Sequence, residues 1–307
     1  MVFRFEPISL EFEKKYLSYL ENCPVKTSDY SFVNLWGWSQ EYGLLWAWSQ
    51  NLVWIKQTKP LELYWPPVGD WTRNDWNEDF FHTDQEKKIK FVRVPELLLD
   101  RWKKWTRVQI FFEEDRDQWD YLYNCKDLME LKGNRFHKKK NLLNQFQKKY
   151  DYQYIDFGKE MIDQVLAMQS DWCQWRDCDL NDALASENRV IERVISAWNQ
   201  FSHIGGGAIL VENKMVAYTL TEFLTDDILL VHFEKANPNY QGAYQAINQM
   251  YVSRICQNAA KPVKLINRMQ DLGDKGLRKA KLSYHPVDFN RKFKVSMFTS
   301  TKKMKHI

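Results

Sequence analysis

Apolar and polar residues alternate in three short runs near the front of the chain, GLLWAWSQ (43–50), NLVWIKQ (51–57) and LELYWPPVG (61–69), each closed by a polar break. Alternation with period two sends successive side chains to opposite faces of a strand, so the three runs predict an antiparallel meander. Ahead of them, SLEFEKKYLSYLEN and the stretch after Asp29 have helical spacing, the second with Ser28 or Asp29 as its cap. Behind them come a strand (KIKFVRV, 88–94), a helix opened by Pro95 at a favoured first position, and a strand over 106–114.

The same order returns from residue 151. DYQYIDF alternates as a strand, GKEMIDQVLAMQSDWCQW and SENRVIERVISAWNQF have helical periods, and Ser186 is the cap expected for the second helix. GGAILVE, KMVAYTLTEFL and DDILLVHFE predict three more strands, with Asn213-Lys214 turning between the first two. A helix over 241–260, the strand KPVKLINRM, the helix DKGLRKAKL and the strand RKFKVSMF complete the chain. This order is similar to that of the GNAT-type acyltransferase fold, present twice. The expectation is a mixed α/β (α+β) protein of two tandem GNAT-like domains, 1–125 and 151–307, each a mixed twisted sheet flanked by helices. Leu128, Leu131, Leu142, Phe146 and Tyr150 share a helical face between them, predicting a basic helix over 126–150 that bridges the two.

Composition sharpens this division, because eleven of the 14 tryptophans precede residue 120. Trp46 and Trp48, on one strand face, are expected to build core there. The net charge of +4 from 44 basic and 40 acidic residues is too even to imply wholesale nucleic-acid binding, so local clusters must carry any such function. No run of about 18 apolar residues occurs, and the start lacks a signal-peptide core, which leads to the expectation of a soluble, cytoplasmic protein without a transmembrane segment. Five cysteines in no paired framework fit a reducing compartment and buried free thiols, and DWCQWRDC lacks the spacing of a zinc site. A P-loop, a dinucleotide fingerprint and a nucleophile elbow are all missing from the sequence.

Candidate chemistry gathers at HFEKANPNYQGAY. Alternation along DDILLVHFE places His232 and Glu234 on one face near the strand's end, where either could deprotonate a nucleophile. Gln241, Gly242 and Ala243 then open a helix, whose free amides and dipole suit a phosphate or carboxylate. A polar strand end and a structural glycine are the plain alternatives.

DKGLRKAKLSYHPVDFNRKF (274–293) resembles the closing segment of the C-terminal domain of phosphatidylglycerol lysyltransferases, with Gly276, Leu277, Arg278, Lys281, Tyr284, Pro286 and Phe289 on the pattern and Ser283 where a second lysine is usual. That family and the Fem-type peptidyltransferases pair GNAT-type domains. The resemblance implies transfer of an amino acid from aminoacyl-tRNA to an acceptor such as a lipid headgroup, with Arg278 and Lys281 lining the cleft and Gly242 in a remnant anion loop. The membrane half of the lipid-modifying enzymes is missing from this sequence, which makes a small-molecule or peptide acceptor equally expected.

Three further groups complete the picture. Arg135, Lys138, Lys139 and Lys140 form a basic cluster, either a solvated helix face or a contact for the phosphates of tRNA or CoA. Asn267, Arg268 and Asp271 sit at a strand end, where Arg268 could hold a carboxylate and Asp271 an ammonium. Tyr284 is placed either as an acid for the leaving group or as core packing against Phe289. The leading expectation is an acyl- or aminoacyltransferase with aminoacyl-tRNA or acyl-CoA as donor, no resident cofactor and no metal. Its rivals are a CoA-dependent N-acetyltransferase and a non-catalytic RNA- or peptide-binding module.

Overall fold

A computed structural model describes residues 4–72, 88–106 and 108–298. The chain forms two compact units, but no single cut separates them. The first unit runs to Asp120 and adds Gln270–Gly273 and the segment from Asn290; the second takes Tyr121–Met269 and Asp274–Phe289.

In the first unit, β1 (Glu6–Pro7), α1 (Glu13–Glu21), α2 (Phe32–Tyr42), β2 (Leu45–Trp48), β3 (Leu52–Gln57), β4 (Leu63–Gly69), β5 (Lys88–Pro95), α3 (Glu96–Trp105) and β6 (Gln109–Glu114) follow in order, and β14 (Lys292–Phe298) joins from the end of the chain. Within the strand expected over 106–114, position 107 lies outside the described residues. The sheet order is β1-β2-β3-β4-β5-β14-β6, with β4 and β5 parallel and the other recorded pairs antiparallel. Leu52, Val53, Trp54 and Ile55 are all inaccessible, so β3 is covered on both faces. Trp46 belongs to this core as expected, whereas Trp48 is half-buried beneath the ammonium of Lys15. Ser31, and neither Ser28 nor Asp29, caps α2 by accepting from the Asn34 amide at 3.1 Å.

The second unit contains β7 (Asp120–Asn124), α4 (Cys125–Glu130), α5 (His137–Lys149), β8 (Tyr152–Asp156), α6 (Ile162–Trp175), α7 (Asp182–Ser196), β9 (Ile204–Val211), β10 (Lys214–Thr225), β11 (Ile228–Ala236), α8 (Ala243–Asn258), β12 (Leu265–Asn267), α9 (Lys275–Leu282) and β13 (Asp288–Asn290). Its sheet order is β13-β7-β12-β11-β10-β9-β8, again with one parallel pair, β11 and β12. Each sheet is thus a four-stranded antiparallel succession, a parallel step, and two closing strands.

The strand expected to end the second domain, 291–298, instead lies between β5 and β6 of the first sheet. The corresponding place in the second sheet, beside β12, is filled by β7, a segment not recognised as a strand from its sequence. Alternation specifies which side chains share a face but not which strand lies alongside.

The expected bridge over 126–150 is two helices within the second unit. Leu131 (φ 46°) and Gly133 (φ 91°) are left-handed and end α4, so no continuous helical ladder can pass. Asn181, not Ser186, caps α7, and the β9–β10 turn is Glu212-Asn213, both with positive φ as a two-residue hairpin requires.

The thiols also depart from expectation. Cys173 pairs with Cys178 and Cys125 with Cys256, because the chain folds back after α6 and the start of α4 packs on the last turn of α8. Cys23 is the free, buried thiol expected of all five, pushed up to about 11 by burial. Among the described residues, no helix is long and apolar enough to cross a membrane.

Candidate active site

The strand that carries His232 and Glu234 is interrupted. Leu220 of β10 faces Phe233 of β11 and Thr221 faces Val231, which leaves His232 as one residue too many. Such a bulge breaks the alternation and resets it beyond the extra residue. On β10, Tyr218 donates its hydroxyl to Gln169 of α6, and Glu222, an even number of residues on, shares that face. His232 Nε2 lies 3.7 Å from Glu222 Oε2, fully buried on the α6 side. Glu234 faces the other way, where Asn248 of α8 donates to it at 3.0 Å. The expected pairing of His232 with Glu234 on one face is therefore overturned by one inserted residue.

Glu234 is the anchor of a buried polar cluster. Its Oε1 receives Arg268 Nη2 at 2.8 Å while its Oε2 receives Asn248. With both oxygens engaged, the carboxylate holds the guanidinium in place. Burial works against the charge on Arg268, but Glu234 together with Tyr123 and Tyr284 outweighs it and keeps the guanidinium above its ordinary pKa. The Arg268 carbon lies 4.9 Å from the Tyr284 ring and 5.8 Å from that of Tyr123. Burial pushes the Tyr284 hydroxyl up to about 12, against the pull of Arg268, so it is protonated at neutral pH.

Of the three consecutive lysines on α5, Lys139 alone turns inward. Its ammonium stands 4.2 Å from the centre of the Tyr284 ring and its pKa is lowered, by burial first and then by the charge of Arg268, while Lys138 and Lys140 are exposed. Arg268 Nη1 and Asn248 Oδ1 are buried atoms with no protein hydrogen-bond partner. Such a donor and acceptor are costly to leave unsatisfied, so each is a point at which a bound group could be held.

Gly242 has a different use from the one expected. It is left-handed at φ 87°, and a side chain there would collide with the carbonyl oxygen of Leu142 and sit 3.0 Å from Phe146 Cβ, both on α5. The Ala243 amide is already given to the carbonyl of Tyr240 at 3.0 Å, and Gln241 is exposed. The missing side chain thus admits a helix, and the amides available to an anion are fewer than the sequence suggests. Gly242→Ala should lower stability by about 1–3 kcal/mol in urea unfolding, from left-handed strain and the collision; an unchanged midpoint would show that α5 can move aside.

The remaining expected residues divide. Lys281 Nζ donates to the Arg268 carbonyl at 2.6 Å, beneath the cluster, and Tyr123 donates to the Lys281 carbonyl at 2.9 Å. Asn267 is buried and accepts from the Met269 amide, a turn-forming role. Asp271 belongs to the first unit, ion-paired to Arg116 at 3.3 Å, and so is not part of this cluster. Arg278 is half-buried on α9, and Arg135 pairs with Asp127 at 2.7 Å. Asn248 and Tyr123 are members that sequence reasoning missed. Among the described residues, no group of three or more His, Cys, Asp or Glu side chains is placed to hold a metal ion.

Residues 21–296 match the family model described as phosphatidylglycerol lysyltransferase, C-terminal. A conserved protein of unknown function from Bacteroides thetaiotaomicron superposes with a TM-score of 0.85 at 28% identity, covering 96% of this chain and 99% of that one. L-PGS from Bacillus licheniformis superposes at 0.62 with 12% identity, over 98% and 94% of the two chains. A tandem GNAT protein from the clavulanic acid biosynthesis pathway does so at 0.50 with 8% identity over 99% and 100%, a likeness of fold alone. An uncharacterised protein of Mycoplasmoides gallisepticum is 25% identical over 182 residues, 58% of this chain and 56% of its own length, so the chain spans about half of that curated relative.

Proposed function

The chain belongs to the phosphatidylglycerol lysyltransferase C-terminal family, and from that premise we propose that it is an aminoacyltransferase whose second unit takes the aminoacyl ester of a charged tRNA. The observation that carries the reading is the division of α5. Lys139 turns in toward Arg268 and Tyr284 while Lys138 and Lys140 stay in solvent, an arrangement suited to an ester carbonyl inside and RNA phosphates outside. The packing of Gly242 against Leu142 favours this donor over a CoA thioester, whose diphosphate needs the open amides that α5 and Tyr240 restrict.

In this reading the acceptor amine or hydroxyl attacks the ester carbonyl, and its bond to carbon forms as the ester C–O bond breaks. Arg268 Nη1 and Lys139 stabilise the negative charge on the carbonyl oxygen. Tyr284 gives its hydroxyl proton to the departing ribose oxygen and recovers one from the acceptor. Fixed charges and orientation supply the acceleration.

Filter binding with a bulk charged tRNA pool, the same pool deacylated, and acetyl-CoA tests the donor. Charged tRNA should bind more tightly than deacylated. Replacing Lys138 and Lys140 by alanine should flatten the salt dependence by about one unit of log–log slope per lysine. Lys139→Met should leave that slope nearly unchanged and narrow the difference between charged and uncharged tRNA. Equal binding of the two pools by the wild type would mean an RNA-binding module, and binding of acetyl-CoA alone would mean ordinary acyl transfer.

A further inference from the structure

We propose that the second unit carries a separate binding site for an organic ammonium ion, in the groove bounded by the β9–β10 turn, the C-terminal half of α6 and the loop leading into α8. The cavity there is about 670 Å³, within the range usual for small-molecule sites, and none of its walls comes from the Glu234–Arg268 cluster. The site is independent of the transfer reading, and its test concerns binding alone.

The walls favour one sign of charge. Tyr150, Trp175 and Tyr240 supply aromatic surface, with the rings of Tyr150 and Tyr240 tilted at 49° and 5.0 Å apart. Aromatic faces attract cations, and the ammonium of Lys149 already stands 5.1 Å from the Tyr150 ring. Among the lining side chains Asp171 and Glu212 supply two carboxylates against one ammonium, that of Lys214, while Lys149 stands by Tyr150 outside the lining. Lys214 does not close the site, since its side chain is 64% exposed and reaches Asp171 only at 4.0 Å.

The size and lining select the class of cation. Two carboxylates among aromatic rings suit a cation that carries hydrocarbon better than a bare metal ion, which would leave the aromatic surface unused. A primary alkylammonium suits better, with its N–H groups toward Asp171 and Glu212 and its hydrocarbon against Trp175 and the tyrosines. Lys214 then acts as a built-in competitor, an ammonium that a ligand of the same charge displaces from Asp171.

Calorimetric titration of the full chain at low salt with pentylammonium, pentanol and pentanoate separates charge from size. Pentylammonium should bind, with the alcohol and the anion at least tenfold weaker. Asp171→Asn together with Glu212→Gln should weaken the amine at least tenfold, and Trp175→Leu about fivefold. Lys214→Ala should tighten it by up to about fivefold, the worth of one like charge about 4 Å away in water. All four positions are exposed or half-buried, and an unchanged thermal midpoint would show that the variants fold. Preference for pentanoate, equal binding of all three probes, an affinity indifferent to the two carboxylates, or weakening by Lys214→Ala would each overturn the proposal.

Discussion

Arg268→Met should lower the stability of the second unit by about 3–5 kcal/mol, because it leaves the carboxylate of Glu234 buried without its partner cation. The side chains of Glu234 and Arg268 are 9% and 14% exposed, so water can replace little of what is lost. The replacement also frees the Lys281 end of the site from no bond of its own, since Lys281 binds the backbone carbonyl of residue 268, which methionine keeps. The expected damage is therefore electrostatic and local. Replacing both partners, with Glu234→Met beside Arg268→Met, should recover part of the stability, since two apolar side chains need no compensation but Asn248 loses its acceptor, and should abolish the proposed aminoacyl transfer. Urea unfolding of the two single variants and the double variant provides the cycle. Additive losses would mean that the two side chains are not coupled, and a fully active double variant would remove Arg268 from the reaction.

What could be read in advance, and what could not, follows from how far each signal reaches. The strands and helices were legible because their periods are local: β3, β10 and α8 follow their patterns of apolar residues closely. The face of Glu234 was not, because a single bulged residue at His232 inverts everything counted across it, and the extra residue becomes visible only opposite β10. The division of the lysine run was partly legible. Lys139, Leu143 and Phe146 are spaced i, i+4, i+7, and both apolar members of that stripe are buried, so the stripe itself marks Lys139 as the inward lysine. That it meets Tyr284 was beyond local pattern, since the contact spans 145 positions of sequence. The same limit hid the neighbours of β14, which was predicted as a strand but expected in the other sheet, while β7 was not recognised as a strand at all.

Lys292 in the first unit offers the second large effect, and here pH distinguishes the cause. Its side chain is inaccessible, held between Asp29 and Asp120, the latter at 2.7 Å. Ser28 donates to Asp120 through its amide at 2.8 Å and its hydroxyl at 2.7 Å, and Arg93 reaches Asp29 at 3.3 Å. Burial alone would raise the Asp120 carboxyl, but the charge and hydrogen bond of Lys292, with the bonds from Ser28, bring it below the ordinary 3.8. A carboxyl depressed by folding contributes stability that is complete above its unfolded pKa and lost as pH falls toward the folded value. The wild type should therefore weaken on acidification below about pH 4. Lys292→Met removes the main compensating charge and should cost about 3–5 kcal/mol at pH 7. Burial and the neighbouring Asp29 then dominate, the carboxyl titrates above its unfolded value, and the sign reverses: the variant should gain stability as pH falls from about 7 toward 4, where the wild type is nearly flat. Urea midpoints across that interval measure both slopes. A variant that keeps the wild-type slope would show that Asp120 is held by Ser28 and not by Lys292.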